Sequence, residues 1–345
     1  MMPRRPSFLM VLVMASASSL AAEPPRPAPL IFETDMGNDI DDALALGVIH
    51  ALQSRGECKL LAVTINKDNE FAAPFVALVN EFYGRGEIPI GVVRGGKTPE
   101  DGRYVRQVCE LRDNRAPRYP RRIQSGRDAP EAVDLLRKTL AAQPDGATTI
   151  VSVGFSTNLA RLLDSPADEH SPLTGEKLVA RKCRLLSAMA GNFGRKNAAK
   201  EYNIYIDQPA AAKLFSRWPT PIVASGFEVG EAVTFPAESI ARDFGYVSHH
   251  PLSDAYGFYV EGAHDRPTWD LTSVLYALRP DRGYFCVSSP GEIRVDEQSL
   301  THFAPNPAGR HRYLTLDPQQ AVRVREALMQ LASQPPETPR RRAIE

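Results

Sequence analysis

The densest concentration of chemically useful side chains is the run Glu33-Thr34-Asp35-Met36-Gly37-Asn38-Asp39-Ile40-Asp41-Asp42, in which five carboxylates fall within ten residues. Like charges at that density repel strongly unless protons or a cation neutralise them. No His or Cys lies nearby, and an all-oxygen donor set favours a hard ion, Ca²⁺ or Mg²⁺. Acids also have a simpler use at a helix N-terminus, where negative charge is stabilised by about 0.3–1 kcal/mol. One cap needs one acid, however. Five of them, with Gly37 allowing a tight backbone turn, point to a cation site. An EF-hand fits poorly, because a strand precedes the run and no Glu closes the loop.

The elements around this run place it. Leu30-Ile31-Phe32 reads as a short buried strand leading into the acidic turn, and Asp41 to Gln53 reads as a helix. A strand at Lys59–Ile65, a helix at Ala73–Tyr83 and a strand at Ile88–Val93 follow. Further on come a helix at Ala129–Ala142, a strand at Thr148–Val153, a helix at Asn158–Leu163 and a strand at Cys183–Ala188. Helix Pro209–Phe215 and strand Pro221–Ala224 complete the alternation. Strands alternating with helices predict an α/β fold, an open, mostly parallel, doubly wound sheet flanked by helices. In such a sheet ligands bind at the carboxyl ends of the strands, where the acidic run falls. Residues 95–128, rich in Arg, Pro and Gly and without a period, read as a long functional loop.

Composition narrows the class. The 345 residues carry 41 Lys+Arg and 41 Asp+Glu, so no basic face suggests a nucleic-acid partner. Arg4 and Arg5, the apolar stretch Phe8–Ala17 and small residues around Ser19, Ala21 and Ala22 form a secretory signal pattern over residues 1–22. The apolar stretch is too short to span a bilayer. The expectation is an exported protein, periplasmic or secreted, with no membrane association once the signal is removed. One domain is expected over residues 28–332, and the Pro- and Arg-rich end, 333–345, reads as disordered. Cys58, Cys109, Cys183 and Cys286 lie far apart with no C-x-x-C spacing, which disfavours zinc. They read as small apolar residues, with a disulfide as the alternative in an oxidising compartment.

The core T-D-M-G-N-D-I-D-D-A-L-A-L, residues 34–46, resembles the D-T-D-P-G-x-D-D-A signature of the inosine-uridine nucleoside hydrolases. Glu33 stands for the first Asp, Met36 for the Pro, and two extra residues precede the Asp pair. Later segments resemble the family's in order: Thr64–Asn69, Ile88-Pro89-Ile90, Val153–Ala160, Met189–Asn192, Glu201–Asp207 and Arg266–Asp270. The resemblance covers roughly residues 30–280 and implies the nucleoside hydrolase fold. It implies that Asp35, Asp42, the Thr157 carbonyl and Asp270 hold a Ca²⁺ ion, with Asp35 also taking a proton from water. It assigns ribose contacts to Asp41, Asn69, Glu201 and Asn203, with Asn192 or Asn197 at the 5′-hydroxyl. The inserted Asp39 competes with Asp35 or Asp41 for a ligand role.

The implied reaction is cleavage of a ribonucleoside N-glycosidic bond. Many members place a His before the last Asp, but Trp269 stands there, as in the purine-preferring branch, where an indole stacks on the base. A second aromatic for a sandwich is expected from Tyr104, and His264 is a candidate proton donor. Trp218 reads as structural. The substrate is then a small nucleoside with suspected purine preference, and a homo-oligomer stays open. Two alternatives remain: a hydrolase of another ribosyl glycoside, and a catalytically silent, sugar-binding module of the same fold. A Walker loop and a G-x-G-x-x-G turn are both absent from the sequence, which disfavours phosphoryl and hydride transfer.

Overall fold

Leu30-Ile31-Phe32 is apolar at every position because both faces of its strand are covered. Leu30 and Phe32 point into one packed layer and Ile31 into the other. The computed structural model describes residues 26–194 and 199–337. The signal segment 1–22, Asn197 and the tail beyond residue 337 lie outside the described residues.

The strands are β1 (Ala28–Thr34), β2 (Cys58–Lys67), β3 (Ile90–Lys97), β4 (Thr148–Ser152), β5 (Cys183–Met189) and β6 (Ile222–Ser225), followed by β7 (Cys286–Val287), β8 (Gly291–Val295), β9 (Thr301–Pro305) and β10 (His311–Thr315). They form one ten-stranded sheet in the order β9-β8-β10-β6-β5-β4-β1-β2-β3, with β7 on β10. Every pairing from β3 across to β10 is parallel, and β7, β8 and β9 add antiparallel strands at the far edge.

One layer is formed by helices Asp41–Ser54, Ala72–Phe82, Pro251–Tyr259, Trp269–Leu278 and Pro318–Ala332. The other is formed by Ala132–Ala141, Thr157–Asp164, Gly175–Lys182 and Gln208–Arg217. The chain steps outward from β1 through β2 to β3, then returns to β4 on the other side of β1. The strand order therefore reverses between β1 and β4, and the crevice over that point is the ligand position of doubly wound sheets.

Two expectations change. The helix anticipated from Ala129 begins at Ala132, because the Glu131 carboxylate accepts from the N–H groups of Val133 and Asp134 and caps it. Residues 95–128 do not form one irregular loop: they hold helix Val105–Glu110 and a short hairpin pairing Arg112–Asp113 with Ala116–Pro117. Helix Gly175–Lys182 and the strands β7 to β10 are further elements that the sequence reading does not include. All four cysteines are free, and only Cys286 is exposed. Among the described residues no helix is long and apolar enough to cross a membrane.

One buried group in the layer around helix Asp41–Ser54 gives stability a pH dependence. His50 Nε2 donates to Asn80 Oδ1 at 2.9 Å, and its Nδ1 accepts from Arg85 Nη1 at 3.2 Å, since a guanidinium only donates. Burial, reinforced by the Arg85 charge, pushes the imidazole down from 6.5 to about 3. The unfolded chain takes up this proton below pH 6.5 and the folded chain only near 3, so the contribution is present above 6.5 and lost on acidification. Between pH 6.5 and 5 the wild type is expected to lose about 2 kcal/mol more in urea unfolding than His50→Gln. Equal losses would show that the ring is not held neutral.

Candidate active site

A cavity of about 450 Å³ opens over the β1–β4 crossover, lined by residues from the carboxyl ends of several strands. Asp35 follows β1, Val153 follows β4, Met189 ends β5 and Phe227 follows β6. The acidic turn supplies Asn38, Asp39, Asp41 and Asp42, and helix Trp269–Leu278 supplies Trp269 and Asp270. Gly154 makes the floor feasible: a Cβ there would stand 2.5 Å from the Asp35 nitrogen.

Asp35, Asp41, Asp42 and Asp270 are all almost fully buried. One carboxylate oxygen from each of Asp41, Asp42 and Asp270 lies within 4.8 Å of the others. Thr34 donates its hydroxyl to Asp42 while accepting from the Met36 N–H at 3.1 Å. The Asp270 N–H donates to Asp41 Oδ2 at 3.1 Å, which ties two segments far apart in sequence. Burial raises Asp35 to about 6, against the lowering effects of Asn38 and Lys67. It raises Asp41, Asp42 and Asp270 well above the usual carboxylate range, and the neighbouring aspartates push the same way. Carboxylates this close and this dry stay charged together only around a positive ion, and an all-oxygen set fits a hard divalent cation.

Asp39 takes no part in that cluster. It forms a bidentate ion pair with Arg266, and both residues line the cavity. Glu33 points beneath the floor, where Thr64, Asn66 and Asn158 all donate to its carboxylate. Burial pushes it to about 7.

Opposite the acids, Glu201 caps helix Tyr202–Ile206, accepting from the N–H groups of Asn203, Ile204 and Gly191. Asn203 donates its amide to the carbonyls of Val153 (2.9 Å) and Met189 (3.2 Å), which leaves its side-chain oxygen as an acceptor. Trp269 is fixed by its indole N–H on the Phe227 carbonyl at 2.9 Å and by stacking on the Phe227 ring, with centroids 5.4 Å apart. The Arg266 guanidinium lies 5.2 Å from the Trp269 ring centroid. Gly230 makes room for the indole: a Cβ there would meet Trp269 Cδ1 at 2.2 Å.

The structure thus gathers Asp35, Asp41, Asp42, Glu201, Asn203, Trp269 and Asp270 around one cavity. Other expected site residues lie elsewhere. Asn69 has its amide nitrogen on the Pro99 carbonyl and Asp101, and its oxygen on the Phe71 N–H, so it braces the loop beside the cavity. Asn192 is drawn toward β9 by a bond from its N–H to Thr301 Oγ1 and lines a separate hollow. Thr157, expected to contribute its backbone carbonyl, is buried in the first turn of its helix with its hydroxyl donating to Asp207. Tyr104 is fully buried; its hydroxyl accepts from the Gly37 N–H and donates to the Asp39 carbonyl, so it props the acidic turn and faces no base. His264 stacks on Tyr256 outside the cavity lining. Trp218 is buried with its N–H on Thr220. Sequence reasoning missed Asn38, Arg103, Tyr202, Phe227 and Arg266, all cavity-lining, together with the buried Lys67 behind Asn38. A lone Lys closing an apolar strand was the signal available for Lys67.

Comparison with known proteins agrees with this geometry. The profile of the inosine-uridine preferring nucleoside hydrolases matches residues 30–325. A protein of Salmonella paratyphi B named pyrimidine-specific ribonucleoside hydrolase RihA is 30 % identical over 281 residues, 73 % of this chain and 80 % of its own length. An inosine-uridine preferring nucleoside hydrolase of Bacillus anthracis superposes with a TM-score of 0.66 at 19 % identity, covering 89 % of this chain and 99 % of that one. A purine-preferring ribonucleoside hydrolase of Gardnerella vaginalis does so with a TM-score of 0.63 at 18 % identity, covering 88 % and 99 %. With its sheet order, its carboxylate-floored crevice and a profile match over most of its length, the chain belongs to the inosine-uridine preferring nucleoside hydrolase family, hydrolases acting on N-glycosyl compounds.

Proposed function

We propose that this chain hydrolyses the N-glycosidic bond of ribonucleosides, purine nucleosides ahead of pyrimidine ones, with Ca²⁺ held by the aspartates of the cavity floor. The observation that carries this reading is the convergence of Asp35, Asp41, Asp42 and Asp270 in one cavity beside the Trp269–Phe227 stack. A bound Ca²⁺ accepts six to eight oxygen ligands and lowers the pKa of water at the site.

Asp35 accepts the proton of the attacking water as the bond to the anomeric carbon forms. The C–N bond breaks with its electron pair passing to the base, which then takes a proton from solvent. Asp41, Glu201 and Asn203 orient the ribose through their remaining acceptor sites. The fixed indole of Trp269 offers an aromatic surface to the base, and such stacking is worth about 1–3 kcal/mol.

The test is steady-state turnover of inosine, guanosine, uridine and cytidine by the purified chain. Faster inosine and guanosine cleavage is expected, with Trp269→Ala lowering kcat/KM for inosine about 10–100-fold. Uridine cleaved as fast or faster would remove the purine assignment and align the chain with its RihA relatives. We further propose that residues 1–22 are removed on export. N-terminal sequencing of the mature protein tests this, with an intact start at Met1 as the contrary result.

A further inference from the structure

Asp35 is not held by the acidic cluster alone. Its Oδ2 accepts from the Asn38 amide nitrogen at 2.7 Å, and the Asn38 oxygen accepts from Lys67 Nζ at 2.8 Å. An ammonium only donates and a carboxylate only accepts, so an amide between them has one permitted orientation, oxygen toward Lys67 and nitrogen toward Asp35. The Lys67 side chain is fully buried, and the β2–β3 register shifts between Ile65 and Lys67, an irregularity of the kind that re-aims a side chain.

Lys67 Nζ also donates to the Thr98 carbonyl at 2.6 Å, and the Thr98 hydroxyl accepts from Asn38 at 3.3 Å. Thr98 sits at φ 49°, in the left-handed region that β-branched residues rarely adopt. A buried cation, a strained backbone carbonyl and the Asn38 amide therefore meet behind a single oxygen of Asp35. The other oxygen of Asp35 remains available to the cavity.

We propose that Lys67 and Asn38 are positioning residues for Asp35: Lys67 sets the orientation of the Asn38 amide, which holds Asp35 with one oxygen facing the cation and the water. This rests on the nucleosidase reading above. Partners of this kind, which orient a metal-binding carboxylate, cost 10–100-fold in metal affinity or activity when removed.

The experiment compares wild type, Asn38→Ala, Asn38→Asp, Lys67→Met and the Asn38→Ala/Lys67→Met double variant. Each is measured by steady-state kinetics on inosine, by titration calorimetry with Ca²⁺ alone after chelator treatment, and by thermal melting. Asn38→Ala is expected to lower kcat 10–100-fold with KM within threefold, and to weaken Ca²⁺ about tenfold. Asn38→Asp is expected to be as damaging, since it fills the same space and satisfies Lys67 but sets a carboxylate against Asp35. A packing role alone would tolerate it. Because Lys67 acts through Asn38, the double variant is expected to be no worse than Asn38→Ala.

Asn38 variants within threefold of wild type in both kcat and Ca²⁺ affinity would overturn the proposal, as would additive losses in the double variant. If Lys67→Met does not fold, the two Asn38 variants decide. If wild type cleaves no nucleoside, the nucleosidase reading fails on its own, and the Ca²⁺ affinities of the Asn38 variants still decide this one.

Discussion

Asp35→Asn is expected to lower kcat on the preferred nucleoside about 10³–10⁴-fold, the upper range for loss of a general base. An amide of the same shape keeps an oxygen to accept from Asn38 but accepts no proton from water. The fold is expected to survive and, without a cation, to become more stable. The substitution removes one charge from four buried acids, whose carboxyl groups burial and mutual repulsion already hold above their usual range. Activity within tenfold of wild type, or a lower melting temperature in chelator, would sink the role given to Asp35. The second outcome speaks against the charge argument in particular.

Cation removal should have an effect nearly as large. Chelation is expected to reduce turnover to background, and readdition of Ca²⁺ to restore it together with thermal stability. An ion that binds only the folded chain adds about 2.7 kcal/mol at a hundredfold excess over its Kd. The effect has a defined pH dependence. Without a cation the floor acids have folded pKa values above their unfolded ones, Asp35 at about 6 against 3.8. Their favourable contribution is therefore present at low pH and lost as the pH rises through those raised values. Bound cation removes that loss, so the rise in melting temperature on adding Ca²⁺ should be larger at pH 8 than at pH 5. Unchanged melting at pH 8 would show that Asp41, Asp42 and Asp270 hold no ion.

The legible parts of this protein share a cause. The alternation of buried strands and helices from Leu30 to Ala224 could be read because a parallel sheet covered on both faces needs continuous apolar strands. The acidic run could be read because five carboxylates in ten residues have few stable arrangements without a cation. Asp270 was found through its likeness to a family segment, since no local feature of Trp269-Asp270 marks it as a neighbour of Asp41. The illegible parts share a cause as well. Asn69 and Tyr104 have side chains suited to a sugar or a base, yet each satisfies its polar groups against a loop or a turn, and Asn192 is drawn toward β9 through its backbone N–H. Which partner a polar side chain finds depends on segments remote in sequence.

By itself, then, the sequence determined the sheet class, the place of the acidic turn at a strand's carboxyl end, and the hard-ion chemistry of its donors. These follow from local periodicity and residue type. The tertiary structure alone decided that Asp39 turns to Arg266 while Asp41 and Asp42 turn to Asp270, that Asn38 links Lys67 to Asp35, and that Phe227 is the ring against Trp269. Those pairings are set by how the chain crosses between β1 and β4 and by which buried groups must be neutralised or hydrogen-bonded once water has left.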